Sequence, residues 1–92
     1  MAEVYTDEEV QALVEKADRI VAMMDEAHSF GEFLRFMLKE EGMTMRDLAK
    51  TLMVHPSTVS RWCNDKIKPS FVEVTAMCYY LGGDPEDVYC LV

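Results

Sequence analysis

The sequence predicts an all-α fold, and three features carry that expectation. Four hydroxyl residues are each followed three positions later by an acid ahead of an apolar-periodic stretch: Thr6 with Glu9, Ser29 with Glu32, Thr44 with Asp47, and Ser70 with Glu73. Two further starts place a proline in a first helical turn, at Pro56 and Pro85, where the missing amide costs nothing. No stretch sustains the period-two alternation of a strand.

Each element follows from its own signals. The first helix, about Asp7 to Ala27, carries Val10, Leu13, Val14, Ala17, Ile20, Val21 and Met24 on one stripe. At 1.5 Å per residue it would reach about 30 Å, longer than so small a domain needs. Its stripe either packs across the other helices of its own chain or also pairs with the same helix of a second copy; it is too short for an independent coiled coil. Ser29 opens a second helix, which Gly42 suits as a left-handed end. Thr44 opens a third; the shorter Asp47 is expected to act mainly through its charge near the helix N-terminus. A short helix after Val54-His55 places Val59 and Trp62 at spacing three. Ser70 opens the next, and Gly82-Gly83 closes it before Asp84-Pro85-Glu86-Asp87 caps a last one.

Ninety-two residues, half of them apolar and 28% charged, suit one small globular core. The apolar runs are only a few residues long, such as Ile20-Val21-Ala22-Met23-Met24, far too short to span a bilayer, and the first residues lack a secretory pattern. No membrane partner is expected, and a cytoplasmic location is. Cys63, Cys78 and Cys90 form no CxxC pair, and only His28 and His55 could assist them. Reduced, mostly buried thiols are expected, with no metal site and no cofactor. A Gly-rich phosphate loop and a nucleophile with a spaced base are both missing, so no enzyme is expected.

The net charge of −8 taken alone opposes a nucleic-acid partner, but the charge is unevenly distributed. Residues 1–29 carry −6, residues 30–70 carry +2 and residues 71–92 carry −4. Within the basic middle, residues 44–64 read as two short helices joined by a tight turn through Met53-Val54-His55. That is the helix-turn-helix unit. Leu48, Ala49 and Leu52 are its first buried set, Val59 and Trp62 its second, and small Ala49 lets the helices cross closely. The second helix then exposes Ser57, Thr58, Ser60, Arg61 and Asn64, with no acid among them. An amphipathic helix always shows polar residues to water. This set also suits a DNA groove, because Arg meets guanine bidentately and Ser or Thr bonds bases or phosphates. Arg46, Lys50, Lys66 and Lys68 surround it.

Residues 30–92 resemble the lambda-repressor-like helix-turn-helix domains of the Cro/CI (XRE) family. The resemblance lies in an ordered series: Phe30-Gly31, Leu34, Gly42-Met43-Thr44, Leu48-Ala49, Leu52, Val54, Val59-Ser60, Trp62, Asn64, Lys66, Pro69-Ser70, Leu81 and Val88. It implies a five-helix domain at 29–92 that binds double-stranded DNA; it says nothing about the acidic amphipathic helix at 1–28, which lies outside the family's common core and is expected from its own stripe to serve packing or dimerisation. Residues 56–64 would be the recognition helix, entering the major groove. By position, Ser57, Ser60 and Arg61 would contact bases. Thr44, Arg46, Lys50, Thr58, Asn64, Lys66 and Lys68 would meet the sugar-phosphate backbone.

The departures from the family pattern are specific. Met53 replaces the usual turn glycine, so a left-handed backbone there carries a steric cost and a slightly altered turn is expected. Met45 stands where Gln commonly holds a phosphate, and His55 replaces the usual hydroxyl cap. Asp65 replaces a terminal glycine and would bring negative charge near DNA. Leu38 and Cys63 together replace an Arg–Glu pair, a double exchange that leaves neither charge orphaned.

The resemblance implies a sequence-specific transcriptional regulator, a repressor in the first instance, binding an inverted repeat as a homodimer. The first helix or the terminal Tyr89-Cys90-Leu91-Val92 would supply the dimer contact. The competing expectation is an interaction module or antitoxin-like adaptor, with a protein partner on the N-terminal helix and little or no DNA binding.

Overall fold

The computed structural model describes residues 5–92 and is helical throughout its regular elements. In chain order these are α1 (Asp7–Glu26), α2 (Phe30–Glu41), α3 (Met45–Leu52), α4 (Pro56–Cys63), α5 (Phe71–Leu81) and α6 (Pro85–Tyr89). None is long and apolar enough to cross a membrane.

Thr6, Ser29, Thr44 and Ser70 are the N-caps of α1, α2, α3 and α5, each accepting the amide of the third helical residue. Reciprocal boxes close at Thr6, Thr44 and Ser70. The short side chain of Asp47 closes one in full, its Oδ2 accepting the Thr44 amide at 3.0 Å, which corrects the expectation of a mainly electrostatic role. That bond holds the Asp47 carboxyl below its ordinary pKa. Glu32 behaves differently: its carboxylate accepts the amide of His28, one residue before the cap.

The core lies between α2, α3, α4 and α5. Trp62, Leu34, Met37, Leu48, Val59 and Val74 are its most completely enclosed large side chains. No charged or polar residue among those described is buried, so the core costs no unpaired charge. Leu38 and Cys63 are both buried.

Helix α1 packs on α2 only through its second half. Ile20 is its one buried residue, with Met23, Met24 and Ala27 partly buried against the core. Lys16 pairs with Glu41 at 2.9 Å, and Arg19 with Glu40. Val10, Leu13, Val14 and Val21 stay 46–55% exposed. The helical spacing explains this: Ile20, Met23 and Ala27, with Lys16, occupy the side turned to α2, and the Val10–Val14–Ala17–Val21 row lies about a quarter-turn or more away. Packing of the whole stripe within its own chain is therefore corrected to packing of its C-terminal part.

Candidate nucleic-acid interface

Helices α3 and α4 build the unit. The end of α3 is a left-handed cap at Met53, with φ 58° and ψ 40°. The Val54 amide donates to the Ala49 carbonyl at 3.0 Å, and that of Met53 to Lys50 at 3.3 Å. This is the Schellman pattern usually built on glycine. The expected alteration of the turn does not occur: Met53 takes the glycine geometry itself, with its side chain 91% exposed so that only the Cβ clash remains.

His55 caps α4. Its Nδ1 accepts the Ser57 amide at 3.1 Å and lies 2.8 Å from the Ser57 Oγ, and Pro56 fills the first turn. The imidazole thus does the work of the hydroxyl it replaces and orients Ser57 at the exposed start of the helix.

On α4, Val59, Trp62 and Cys63 face the core. Helical spacing puts Ser57, Ser60, Arg61 and Asn64 on the opposite side. Ser57, Arg61 and Asn64 are exposed, while Ser60 and Thr58 are half-buried. Thr44, Arg46 and Lys50 are exposed on or beside α3, and Lys66 and Lys68 on the segment after α4. None of the cations Arg46, Lys50, Arg61, Lys66 and Lys68 forms an ion pair with another described residue. Their charges are available to an external anion, whereas Lys16 and Arg19 are engaged inside the molecule.

Four of these residues have side-chain partners inside the molecule: Ser57 with His55, as above, Ser60 and Asn64 with each other, and Thr44 with Asp47. The Thr44 hydroxyl accepts the Asp47 amide at 3.1 Å. The Asn64 Nδ2 donates to the Ser60 carbonyl at 2.9 Å, and its Oδ1 accepts from Arg35 Nη2. Asp65 adopts φ 55°, and the Lys66 amide donates to the Arg61 carbonyl at 2.8 Å. The Asp65 Oδ1 accepts the Gly31 amide at 3.0 Å, so its charge serves the positive start of α2.

Arg35 and Gly31 complete the support of α4, and no local sequence pattern marks either for that role. Arg35 Nε donates to the Cys63 carbonyl at 3.0 Å. A Cβ at position 31 would stand 2.4 Å from that same carbonyl oxygen, so glycine is needed for the approach of α2 to the end of α4. Among the described residues no group of His, Cys, Asp and Glu could hold a metal ion.

A family model described as helix-turn-helix matches residues 34–88, more than half of the chain, from within α2 to α6. Helix α1 lies outside the match. No curated protein and no solved structure matches.

Proposed function

The chain belongs to the Cro/CI-type (XRE) helix-turn-helix family of DNA-binding domains, and from that premise we propose that it is a cytoplasmic, non-enzymatic transcriptional repressor reading an inverted-repeat operator as a homodimer. Residues 29–92 are the DNA-binding unit, with 56–64 as recognition helix and residues 1–28 as an appended element. The observation that carries this reading is the outer side of α4: it presents Ser57, Ser60 and Arg61 without an acid, flanked by cations that form no ion pair among the described residues.

Ser57, Ser60 and Arg61 are assigned to base edges, Arg61 as the fork that discriminates guanine. Thr44, Arg46, Lys50, Thr58, Asn64, Lys66 and Lys68 are assigned to the phosphate backbone. One short helix reads few base pairs, so specificity requires a second copy on a half-site about 34 Å away. The dimer contact is assigned to the α5–α6 side, where Val72 and Tyr79 are 76% and 83% exposed and Phe71 stacks edge-on against Tyr89 at 5.4 Å.

The test is a pair of variants titrated against several duplexes. Arg61→Ala should cost about 1 to 3 kcal/mol at the preferred site and relax base preference there, whereas Lys50→Ala should weaken every sequence alike and lower the salt slope by about one. Identical behaviour of both on all sequences would remove Arg61 from base reading. The adaptor reading is favoured by one observation, the acidic, half-exposed α1. Absence of any DNA preference would give that reading precedence.

A further inference from the structure

Two apolar surfaces stand open among the described residues, and their electrostatic settings differ. The α5–α6 patch is aromatic. The α1 stripe is aliphatic and set in negative charge: α1 carries Asp7, Glu8, Glu9, Glu15, Asp18, Asp25 and Glu26, and its only two bases are engaged by Glu41 and Glu40 of α2. The acids Asp7, Asp18 and Asp25 fall along the outer edge of the stripe by helical spacing. At the other end the stripe runs into a cleft lined by Ala17, Val21, Met24, Gly83, Asp84 and Asp87, which brings two more carboxylates from the start of α6.

A second copy fits this surface poorly. Facing two α1 helices would bring acidic edges together with no free cation on either to offset them, and like charges opposed across an interface select against such a pairing. A helix of opposite sign fits. The row from Val10 to Val21 covers three turns, about 17 Å, which matches the anchors of a short amphipathic helix laid along it.

We propose that the α1 stripe is the docking surface for a basic amphipathic helix of another protein, whose apolar side covers Val14, Ala17 and Val21 and whose Lys or Arg side chains meet Asp18, Asp84 and Asp87. This interaction goes beyond DNA binding and stands independently of it, because α1 lies outside the helix-turn-helix unit. It gives the free chain two separate contacts, a cationic one on α4 and an anionic one on α1.

The test uses the full chain and a labelled synthetic peptide of Leu and Lys at amphipathic helical spacing, followed by fluorescence anisotropy. A scrambled peptide of the same composition and a Leu/Glu peptide serve as controls, with sedimentation of the free chain in parallel. Saturable binding of the ordered Leu/Lys peptide alone is expected. Val14→Asp with Val21→Asp should abolish it, and Asp18→Lys with Asp87→Lys should weaken it about tenfold and flatten its salt dependence. All four positions are exposed, and an unchanged melting temperature will show that the variants fold. The proposal is overturned by no binding, by equal binding of the scrambled peptide, or by equal binding to either variant. It is also overturned if the free chain is a dimer that the Val14/Val21 variant separates, for then the occupant is a second copy. DNA affinity of the Val14/Val21 variant should equal that of the unmodified chain.

Discussion

Arg35 on α2 donates through Nε to the main-chain carbonyl of Cys63 at 3.0 Å, and so α2 holds the last turn of α4, the second helix of the helix-turn-helix unit. That carbonyl is one of the groups a helix end leaves without an internal partner. The same guanidinium reaches Asn64 Oδ1, and Asp65 binds back to Gly31. Together these contacts fix α4 against α2, with Leu38 and Cys63 buried.

Removing the guanidinium tests this clamp. Arg35→Ala should lower stability by about 1 to 2 kcal/mol, in the range of a charge-assisted hydrogen bond that is partly exposed. Arg35→Lys should recover only part of it, since an ammonium cannot span both acceptors in a plane. Urea denaturation of the three proteins measures the effect. An unchanged midpoint for Arg35→Ala would show that packing alone holds α4.

The turn between α3 and α4 carries strain at a known position. Met53 is left-handed and 91% exposed, so its side chain contributes little in return. Glycine would relieve about 1 to 2 kcal/mol of steric cost and give back part of it as unfolded-chain entropy. Met53→Gly should therefore stabilise the domain by about 0.5 to 1 kcal/mol in thermal unfolding. Destabilisation would mean that the methionine makes contacts worth more than the strain.

The three thiols should separate chemically. Cys63 and Cys78 are buried and Cys90 is exposed. Burial pushes Cys63 up and Cys78 up to about 11 from the ordinary 9.0. At about pH 8 a thiol reagent should modify Cys90 quickly and the other two only as the protein opens. A raised folded-state pKa contributes stability that is complete below the unfolded value and disappears as pH rises through the folded one. Stability should thus fall between about pH 9 and pH 11. Three equally fast thiols would contradict the burial of Cys63 and Cys78.

What is legible in the sequence is whatever is encoded locally. Thr6, Ser29, Thr44, Ser70 and Asp84 announce helices because a cap and the amide it accepts lie within one turn, and each is an N-cap in the structure. His55 with Pro56 opens α4 for the same reason. The apolar stripe of α1 is equally visible, but which side meets α2 depends on the Ala27-His28 junction and on the ion pairs of Lys16 and Arg19, none of which periodicity encodes. Arg35 is out of reach because its acceptor lies 28 residues away, with no local pattern to name it. Asp65 reads in the sequence as a charge close to DNA, and its bond to the Gly31 amide is invisible there because that partner lies 34 residues away.

The most direct test of the central claim is selection of bound sequences from random duplex DNA at low salt, with the unmodified chain and Arg61→Ala side by side. The account predicts an enriched inverted repeat with half-site centres about ten base pairs apart, with preference lost in the variant at the positions Arg61 reads. No enrichment, or an identical motif from both proteins, would contradict a dimeric repressor that reads bases through Arg61.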